Sequence, residues 1–360
     1  VGARRQIVRD ARIGLDQFAA RRRGIRRDCR GIRGGRWFSA SGQESKDRKQ
    51  NGQAQRIFHG FDSAFHRIHR PVRMQGKRQT TVDWIVEGSL VAFPAAGGRP
   101  GRMLDGFYRS APRKHAPLLV FVHGMGSNFY RSKLKKAFLE AAPALGLGIL
   151  SFNNRGAERG TEDEKFATCL RDLDAAAEVA RRRGHRKLVF AGHSTGCQKI
   201  VFWQARRRHP AVAGLVLLAP ADDYALTKRD LGARFETKVA WARKMVATGK
   251  GDAPVSGLYE RFAAARFLSL ADAKRAEANV FRYAGALTQF RRVKCPMLAV
   301  FGAEEEFAAI PPADMLAILR RKTRSRDFDD WLIPGADHGF HGCESELALS
   351  VCQWAREIAR

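Results

Sequence analysis

The feature that most constrains the fold of this chain is a serine flanked by glycines directly after an apolar run. Residues 188–191 are all apolar, and Gly192, Ser194 and Gly196 follow, with a helical pattern behind them. A short apolar run bounded in this way predicts a buried strand. A side chain at either glycine would clash with the strand or the helix that the turn joins. The spacing therefore predicts a sharp strand-to-helix turn that holds Ser194 at the rim of a sheet.

From about Thr80 onward, apolar strand patterns alternate with amphipathic helix patterns. This alternation is typical of βαβ units and predicts an α/β fold with a mostly parallel, doubly wound sheet. The expected strands are residues 90–94, 103–108, 118–122, 148–152, 188–191, 215–218, 297–301 and 329–333, and the expected helices are residues 134–145, 166–183, 198–208 and 345–358.

A long segment separates the strands expected at 215–218 and 297–301. Residues 222–292 are dominated by helical patterns, such as those at 238–246 and 271–290. A plain connection between neighbouring strands is much shorter. Because the segment follows a strand end, it would lie above the carboxyl edge of the sheet, and we expect it to form a lid over Ser194.

The basic charge of the chain is unevenly distributed. The chain has 65 Lys and Arg residues against 36 Asp and Glu residues, a formal net charge of +29. About half of this excess lies before Thr80, in a stretch rich in Arg and Gly without a sustained apolar period. This composition predicts a basic leader of low order at residues 1–79 and a catalytic domain at residues 80–360.

Three origins of the basic leader are open: an arm for nucleic acid or a membrane surface, a targeting peptide, and upstream DNA read from a misplaced start. The first residue, Val1, and the Arg and Gly bias favour the third. Trp37 and Phe38 are the one adjacent aromatic pair in the leader, so side chains that could stack on bases are sparse. Nucleic-acid binding is therefore not favoured.

The remaining composition favours a soluble, cytoplasmic protein without a cofactor. No stretch approaches the ~18 apolar residues of a membrane span. The 6 cysteines have no CxxC spacing and lie mostly in apolar segments, as reduced buried thiols do. His59, His66 and His69 have no accompanying Glu, so neither a metal site nor a cofactor site is expected. No pattern indicates an oligomeric state.

A serine hydroxyl becomes a nucleophile at neutral pH when a base takes its proton and an acid holds that base. For a serine at such a turn, the acid and then the histidine follow along the chain, each on a loop after a strand. His338 lies directly after the last expected strand and before the final helix. His341 is the alternative, but it lies farther from the strand end.

The acid is expected after the strand at 297–301. Glu304, Glu305 and Glu306 are consecutive there. Their distance from Gly302 favours Glu305, with Glu306 as the alternative. A nearby imidazolium would keep such a carboxylate ionised.

Two backbone N–H groups are expected to form an oxyanion hole. One belongs to Thr195, which follows the serine, and the other belongs to Met125, on the loop after the strand at 118–122. Gly124 and Gly126 flank Met125 and would let the backbone approach a substrate carbonyl.

Residues 90–360 resemble the alpha/beta-hydrolase superfamily. Four motifs occur in that superfamily's order: HGMG at 123–126, the turn at Ser194, the acid loop at Glu305 and DHG at 337–339. The resemblance implies an alpha/beta-hydrolase fold of the serine esterase type, with a Ser194–His338–Glu305 triad. Asp is commoner than Glu at the acid position of the superfamily.

Three further segments are similar to a group of hydrolases that includes fungal siderophore-ester hydrolases. They are GSNFY at 126–130, SFNNRG at 151–156 and GHSTG at 192–196. This likeness implies ester hydrolysis beneath a lid and leaves the acyl and alcohol parts of the substrate open. Phe129, Tyr130 and Tyr224 are candidates for lining the pocket, and ordinary packing is the alternative for each.

The sequence therefore predicts a serine hydrolase that cleaves a small-molecule carboxylic ester through an acyl-enzyme. Thioester, amide or acyl-transfer chemistry on the same fold is the first alternative, because a fold does not define a reaction. A nucleic-acid-binding protein that uses the basic leader is the more distant alternative.

Overall fold

A twisted sheet of mostly parallel strands forms the centre of the protein. The structure is a computed structural model and describes residues 85–96, 102–258 and 260–360. Within these residues, 8 strands form the main sheet. They are β1 (Ser89–Pro94), β2 (Met103–Arg109), β3 (Leu118–Val122), β4 (Gly148–Phe152), β5 (Leu188–His193), β6 (Val212–Leu218), β9 (Met297–Gly302) and β10 (Phe328–Ile333).

The strand order is β1-β2-β4-β3-β5-β6-β9-β10. The first two pairings, β1 with β2 and β2 with β4, are antiparallel, and the neighbours from β4 to β10 are parallel. β3 and β4 are buried along their whole length, as expected for parallel strands covered on both faces. The prediction of a mostly parallel α/β sheet is confirmed.

Helices connect the parallel strands and cover the sheet. The α-helices in the described part of the chain are α1 (Lys133–Ala144), α2 (Cys169–Arg182), α3 (Thr195–Arg207), α4 (Asp223–Leu231), α5 (Phe235–Ala247), α6 (Ala264–Ala271), α7 (Thr288–Arg292), α8 (Pro312–Lys322) and α9 (Glu344–Ile358). α9 packs against α1, whereas α3 packs against α2 and α7.

A second apolar cluster lies within the segment that joins β6 to β9. Buried residues of α4, α5 and α6 form this cluster, together with β7 (Pro254–Val255) and β8 (Phe262–Ala263), which pair antiparallel. We call residues 223–278 the cap. Beyond the cap, Phe281, Tyr283 and Phe290 belong to the main core beneath.

The prediction of a helix at residues 271–290 is wrong. α6 ends at Ala271, and a 3₁₀ turn at Glu277–Asn279 and the short α7 follow. Asp272 has an extended backbone, and its carboxylate accepts hydrogen bonds from the Lys274 N–H at 2.9 Å and the Arg243 guanidinium at 2.6 Å. An Asp side chain that bonds nearby backbone competes with helical hydrogen bonding. The helical pattern is therefore interrupted at its first turn.

The other expected strands and helices within the described residues are confirmed, with ends that differ by a few residues. Residues 166–183 begin with a 3₁₀ turn at Phe166–Thr168 before α2. The predictions for residues 1–79 lie outside the described residues. Among the helices that are described, none is both long and apolar enough to cross a membrane.

Candidate active site

Ser194 lies at the turn between β5 and α3 in a strained backbone conformation. Its φ is 55° and its ψ is −127°, a region that residues with a side chain rarely adopt. A Cβ at Gly192 would lie 2.5 Å from the backbone of Gly196 and Cys197, and a Cβ at Gly196 would clash with the Val122 carbonyl. The two glycines therefore allow β5, α3 and β3 to approach closely, and the turn presents Ser194 at the carboxyl edge of the sheet.

The loop after β3 passes directly beside Ser194. A Cβ at Gly124 would lie 2.9 Å from the Ser194 Cβ and 3.4 Å from its Oγ, so glycine is required for this close approach. Gly126 has a φ of 63° and turns the loop away again. The backbone of Met125 is thereby held between the two glycines, next to the serine.

The first turn of α3 supplies the other expected oxyanion donor. Thr195 is the first residue of α3, where backbone N–H groups have no intrahelical acceptor. The partial positive charge of a helix N-terminus also favours a developing anion. Thr195 follows β5 and Met125 follows β3, and because these two strands are parallel neighbours, both residues lie at the same edge of the sheet.

His123 holds the loop that carries Met125. Its side chain is fully buried, and its Nδ1–H donates to the Gly124 carbonyl oxygen at 2.7 Å. Burial, together with the positive charge of Lys199, lowers the pKa of His123 well below its usual value. His123 is therefore a neutral residue that fixes the backbone of the loop.

The loop after β10 places His338 against His193, the residue before Ser194. The His338 Nδ1–H donates to the Glu305 Oε1 at 2.7 Å. The Glu305 side chain is 1 % exposed and that of His338 is 13 % exposed. Because Nδ1 is engaged by the carboxylate, Nε2 is the ring nitrogen available to a serine hydroxyl. This arrangement is the one that a general base requires.

The neighbouring glutamates have other positions. Glu306 accepts a hydrogen bond from the backbone N–H of His338 at 2.9 Å through Oε2, whereas Glu304 is exposed. The alternative histidine, His341, is 72 % exposed and pairs with Asp337 at 2.6 Å. Of the glutamates in this loop, the structure thus brings Glu305 to the imidazole ring and Glu306 to the backbone beneath it.

Sequence reasoning missed His193, which precedes the serine. Its Nε2–H donates to the His338 carbonyl oxygen at 2.8 Å, and the two rings are 4.9 Å apart. Burial and the neighbouring His338 lower the pKa of His193 to about 3. His193 is therefore neutral and links the serine turn to the histidine loop. Its place inside the GHSTG motif was the signal available in the sequence.

Two of the candidate pocket residues, Phe129 and Tyr130, lie on the loop between β3 and α1. The Phe129 N–H donates to the Asn153 Oδ1 at 2.9 Å, and its ring meets the Tyr130 ring at 5.1 Å. Tyr130 is 47 % exposed. A cavity of about 260 Å³ lies in this loop and is lined by Met125, Gly126, Ser127, Asn128, Arg131 and Ser132.

The third candidate, Tyr224, belongs to the cap. It is buried in the cap cluster, and its ring lies edge-on to that of Phe235 at 5.3 Å. The Met125 side chain packs against the same cluster. The cap thus contacts the loop that carries Met125, and a substrate contact of Tyr224 stays a prediction.

A buried ionic cluster links the cap to the elements behind Ser194. Lys199 on α3 pairs with Glu164 at 2.6 Å, and Arg266 on α6 lies 3.7 Å from the same carboxylate. All three side chains are fully buried. Lys199 also donates to the Asn154 Oδ1 at 2.6 Å, so the SFNNRG segment contributes to this cluster. None of the three charged residues had been singled out in the sequence.

A protein site for a metal ion is built from clustered His, Cys, Asp and Glu side chains. Across residues 85–96, 102–258 and 260–360, no group of three or more His, Cys, Asp and Glu side chains has a suitable arrangement. The His59, His66 and His69 pattern lies outside these residues.

Comparison with known proteins agrees with this architecture. A sequence model described as the alpha/beta hydrolase family matches residues 119–348, more than half of the chain. Each motif placed above, from the loop at Met125 to His338, falls inside the matched region. No curated protein sequence matches the chain significantly.

Several solved structures share the fold at low sequence identity. Est1E from Butyrivibrio proteoclasticus has a TM-score of 0.56 and 15 % identity, with 76 % of this chain and 99 % of that chain covered. The siderophore hydrolase EstB from Aspergillus fumigatus has a TM-score of 0.57 and 17 % identity, covering 76 % and 98 %. A highly thermostable carboxyl esterase from Bacillus coagulans has a TM-score of 0.58 and 12 % identity, covering 76 % and 99 %. At these identities, the likeness establishes the fold.

Proposed function

Because this chain belongs to the alpha/beta hydrolase family, we propose that it is a serine esterase that cleaves small-molecule carboxylic esters through an acyl-enzyme. The observation that carries the proposal is the contact of Glu305 with His338 beside the strained Ser194. In this assignment, Ser194 is the nucleophile, His338 the general base and acid, and Glu305 the residue that orients the imidazole.

Acylation begins when the Ser194 Oγ attacks the ester carbonyl carbon and its proton passes to the His338 Nε2. The carbonyl oxygen becomes an oxyanion, to which the N–H groups of Met125 and Thr195 donate. Each such donor contributes ~3 kcal/mol of transition-state stabilisation. When the carbon–oxygen bond to the alcohol breaks, His338 returns the proton to the leaving alkoxide, and the acyl group stays on Ser194.

Deacylation repeats these steps with water. His338 takes a proton from a water molecule, which attacks the acyl carbon, and the carbon–oxygen bond to Ser194 breaks. The Ser194 oxygen recovers its proton from His338, and the carboxylic acid leaves. Glu305 accepts the hydrogen bond of the His338 Nδ1–H and stabilises the imidazolium that forms in both halves of the reaction.

The contacts of the cap support its assignment as the lid of this site. The cap contacts the loop that carries Met125, and Arg266 ties the cap to the buried Glu164 behind the serine turn. A covering element of this kind excludes water and shapes the space around the reacting ester. Within the segment expected as a lid, residues 222–292, we assign the lid to the cap, because Phe281, Tyr283 and Phe290 pack in the main core.

A fluorophosphonate probe tests the nucleophile. We expect covalent labelling of the native chain and of His341→Gln, loss of labelling in Ser194→Ala, and strongly slowed labelling in His338→Gln. The two histidine variants are matched because each histidine has a carboxylate partner, but of the two His338 is the one whose contact with His193 is seen next to Ser194. Undiminished labelling of Ser194→Ala would exclude Ser194 as the nucleophile.

A substrate panel tests the reaction. We expect an ester to be cleaved with a higher kcat/KM than the thioester and the amide of the same acyl group. A preference for the amide would contradict the esterase assignment while retaining the serine mechanism. Transfer of the acyl group to an added alcohol in preference to water would instead indicate an acyltransferase.

A further inference from the structure

An exposed aromatic side chain lies against the ring of His338. The Phe307 ring meets the His338 ring at a centroid distance of 4.8 Å and an angle of 65°. His193 approaches the same imidazole at 4.9 Å. The two neighbours differ in environment, because His193 is largely buried whereas Phe307 is 42 % exposed.

Phe307 is held there by the carboxylate that orients His338. The Glu305 Oε1 accepts hydrogen bonds from the His338 Nδ1–H at 2.7 Å and from the Phe307 backbone N–H at 3.0 Å. One oxygen atom therefore fixes both the imidazole and the residue that carries the aromatic ring. The position of Phe307 is preorganised in the same way as the candidate triad.

The rest of this loop is also anchored and apolar at its tip. The Arg229 guanidinium of α4 donates to the Ala308 carbonyl at 3.5 Å, and the Ala308 N–H donates to the Glu305 carbonyl at 3.2 Å. Ile310 is 37 % exposed, and Pro311 and Pro312 stiffen the entry into α8. We call Phe307 and Ile310 the apolar rim.

The mechanism determines which part of an ester would meet this rim. His338 must give its proton to the leaving alcohol oxygen, so that oxygen has to lie within hydrogen-bond reach of the imidazole. The alkyl or aryl group attached to that oxygen then extends past the His338 imidazole. His193 and Glu305 already occupy other sides of this imidazole. Phe307 is an exposed neighbour of the imidazole with apolar surface for that group.

We propose that the apolar rim is the subsite for the alcohol part of the substrate and that it selects esters of uncharged, apolar alcohols. The inference rests on the proposed esterase function and adds the class of leaving group. The charge of this loop supports it, since the exposed carboxylates of Glu304 and Glu306 outnumber the guanidinium of Arg229 that contacts Ala308. A negatively charged alcohol would meet unfavourable charge there.

The test compares esters that share one short acyl group and differ in the alcohol: methanol, benzyl alcohol and 4-carboxybenzyl alcohol. Methyl and benzyl alkoxides are leaving groups of similar basicity, so a preference between them reports binding. We expect the native chain to cleave the benzyl ester with a kcat/KM at least about tenfold above the methyl and carboxybenzyl esters.

The decisive variant is Phe307→Ala, with Phe307→Leu as a conservative replacement. We expect Phe307→Ala to lower kcat/KM for the benzyl ester about tenfold, to leave the methyl ester within about twofold, and Phe307→Leu to retain part of the preference. Leu90→Ala, which changes an exposed apolar residue on β1, should leave the preference unchanged. The pH profile of methyl-ester cleavage should be the same in all variants, because Phe307 binds the alcohol and does not tune His338.

Several results would overturn the inference. They are equal cleavage of the methyl and benzyl esters by the native chain, an unchanged preference in Phe307→Ala, and an equal loss on both esters with an altered pH profile. In each of these cases Ser194 still reacts with a fluorophosphonate and esters are still cleaved. Absence of both labelling and cleavage is the separate result that would remove the proposed function itself.

Discussion

At the scale of single residues, the three consecutive glutamates of the acid loop have separate surroundings. The Glu305 carboxylate is buried against the His338 ring, the Glu306 carboxylate accepts from the backbone of His338, and Glu304 is exposed. The same side chain repeated three times therefore offers a natural comparison of an orienting acid, a loop contact and a solvated residue.

Replacement of each glutamate by glutamine should separate these roles. We expect Glu305→Gln to lower kcat about 10³ to 10⁴-fold, because an amide no longer stabilises the imidazolium and can favour the wrong tautomer. Glu306→Gln keeps an acceptor for the His338 N–H and should lower kcat by less than about tenfold. Glu304→Gln should match the native chain. Steady-state kinetics on one ester, with circular dichroism as a control for folding, decides between them, and a larger loss in Glu306→Gln would reassign the acid.

His193 predicts a particular acid sensitivity of the folded state. Its pKa is lowered by burial and by His338 to about 3 in the folded chain, against 6.5 when free. Between these values the unfolded chain binds the proton and the folded chain does not, so stability falls as the pH falls. One such group contributes a slope of about 1.4 kcal/mol per pH unit.

His193→Gln should remove this slope and keep the hydrogen bond to the His338 carbonyl. Urea unfolding between pH 4 and 6.5 should therefore show that the variant loses about 1.4 kcal/mol less stability per pH unit than the native chain. His123, His185 and His209, whose pKa values burial also lowers, would remain and contribute slopes of the same sign. Asp222, whose pKa burial raises to about 6, contributes a slope of the opposite sign in both proteins. Identical pH dependence in the two proteins would mean that His193 is protonated in the folded state.

At the scale of elements, the buried ionic cluster joins α3, α6 and the segment that follows the SFNNRG motif. Glu164 is the carboxylate that Lys199 and Arg266 both approach, and none of these side chains is exposed. Removing one member of a buried pair leaves an uncompensated charge, which typically destabilises a protein by about 3 to 5 kcal/mol.

We therefore expect Glu164→Gln to lower the free energy of unfolding by about 3 to 5 kcal/mol. The matched control is Glu178→Gln, because Glu178 pairs with Arg181 on the surface of α2, where side-chain exposures are 40 % and 72 %. An exposed pair contributes little to stability, because water and salt screen its charges. Urea titration of both variants measures the difference, and equal effects would show that the cluster does not anchor the cap.

Most elements could be predicted because their signals are local. Short apolar runs such as residues 118–122 and 188–191 are typical of buried strands between covering helices, and the structure has them as β3 and β5. The helix expected at 271–290 failed because Asp272 engages Lys274 and Arg243. Arg243 comes from α5, and a contact between distant parts of the chain leaves no periodicity in the sequence.

The same distinction applies to the candidate site. Ser194 and His338 follow strand ends, so their positions could be predicted from order along the chain. The choice among the glutamates depends on the path of the loop after Gly302, and the Glu164 cluster depends on three-dimensional contacts between α3 and α6. Spacing from Gly302 favoured Glu305 but left Glu306 as an alternative, and no spacing in the sequence indicates the Glu164 cluster.

At the scale of the whole molecule, the distribution of charge separates two functional hypotheses. The main sheet, the candidate triad and the cap all lie within residues 85–360, whereas about half of the net charge of +29 lies before Thr80. An esterase needs only residues 85–360. A protein that binds nucleic acid through the basic leader would depend on the charge before Thr80.

A chain that starts at Thr80 should therefore keep its kcat/KM for an ester within about twofold of that of the full chain, since none of the groups assigned to catalysis is removed. Parallel assays on the two chains, with urea unfolding as a control for stability, measure this. Duplex DNA at low salt should change the kcat/KM of neither chain. A more than tenfold loss on truncation, with unchanged stability, would instead mean that the basic segment contributes to substrate binding. Salt-dependent DNA binding by the full chain alone would support a separate role for that segment.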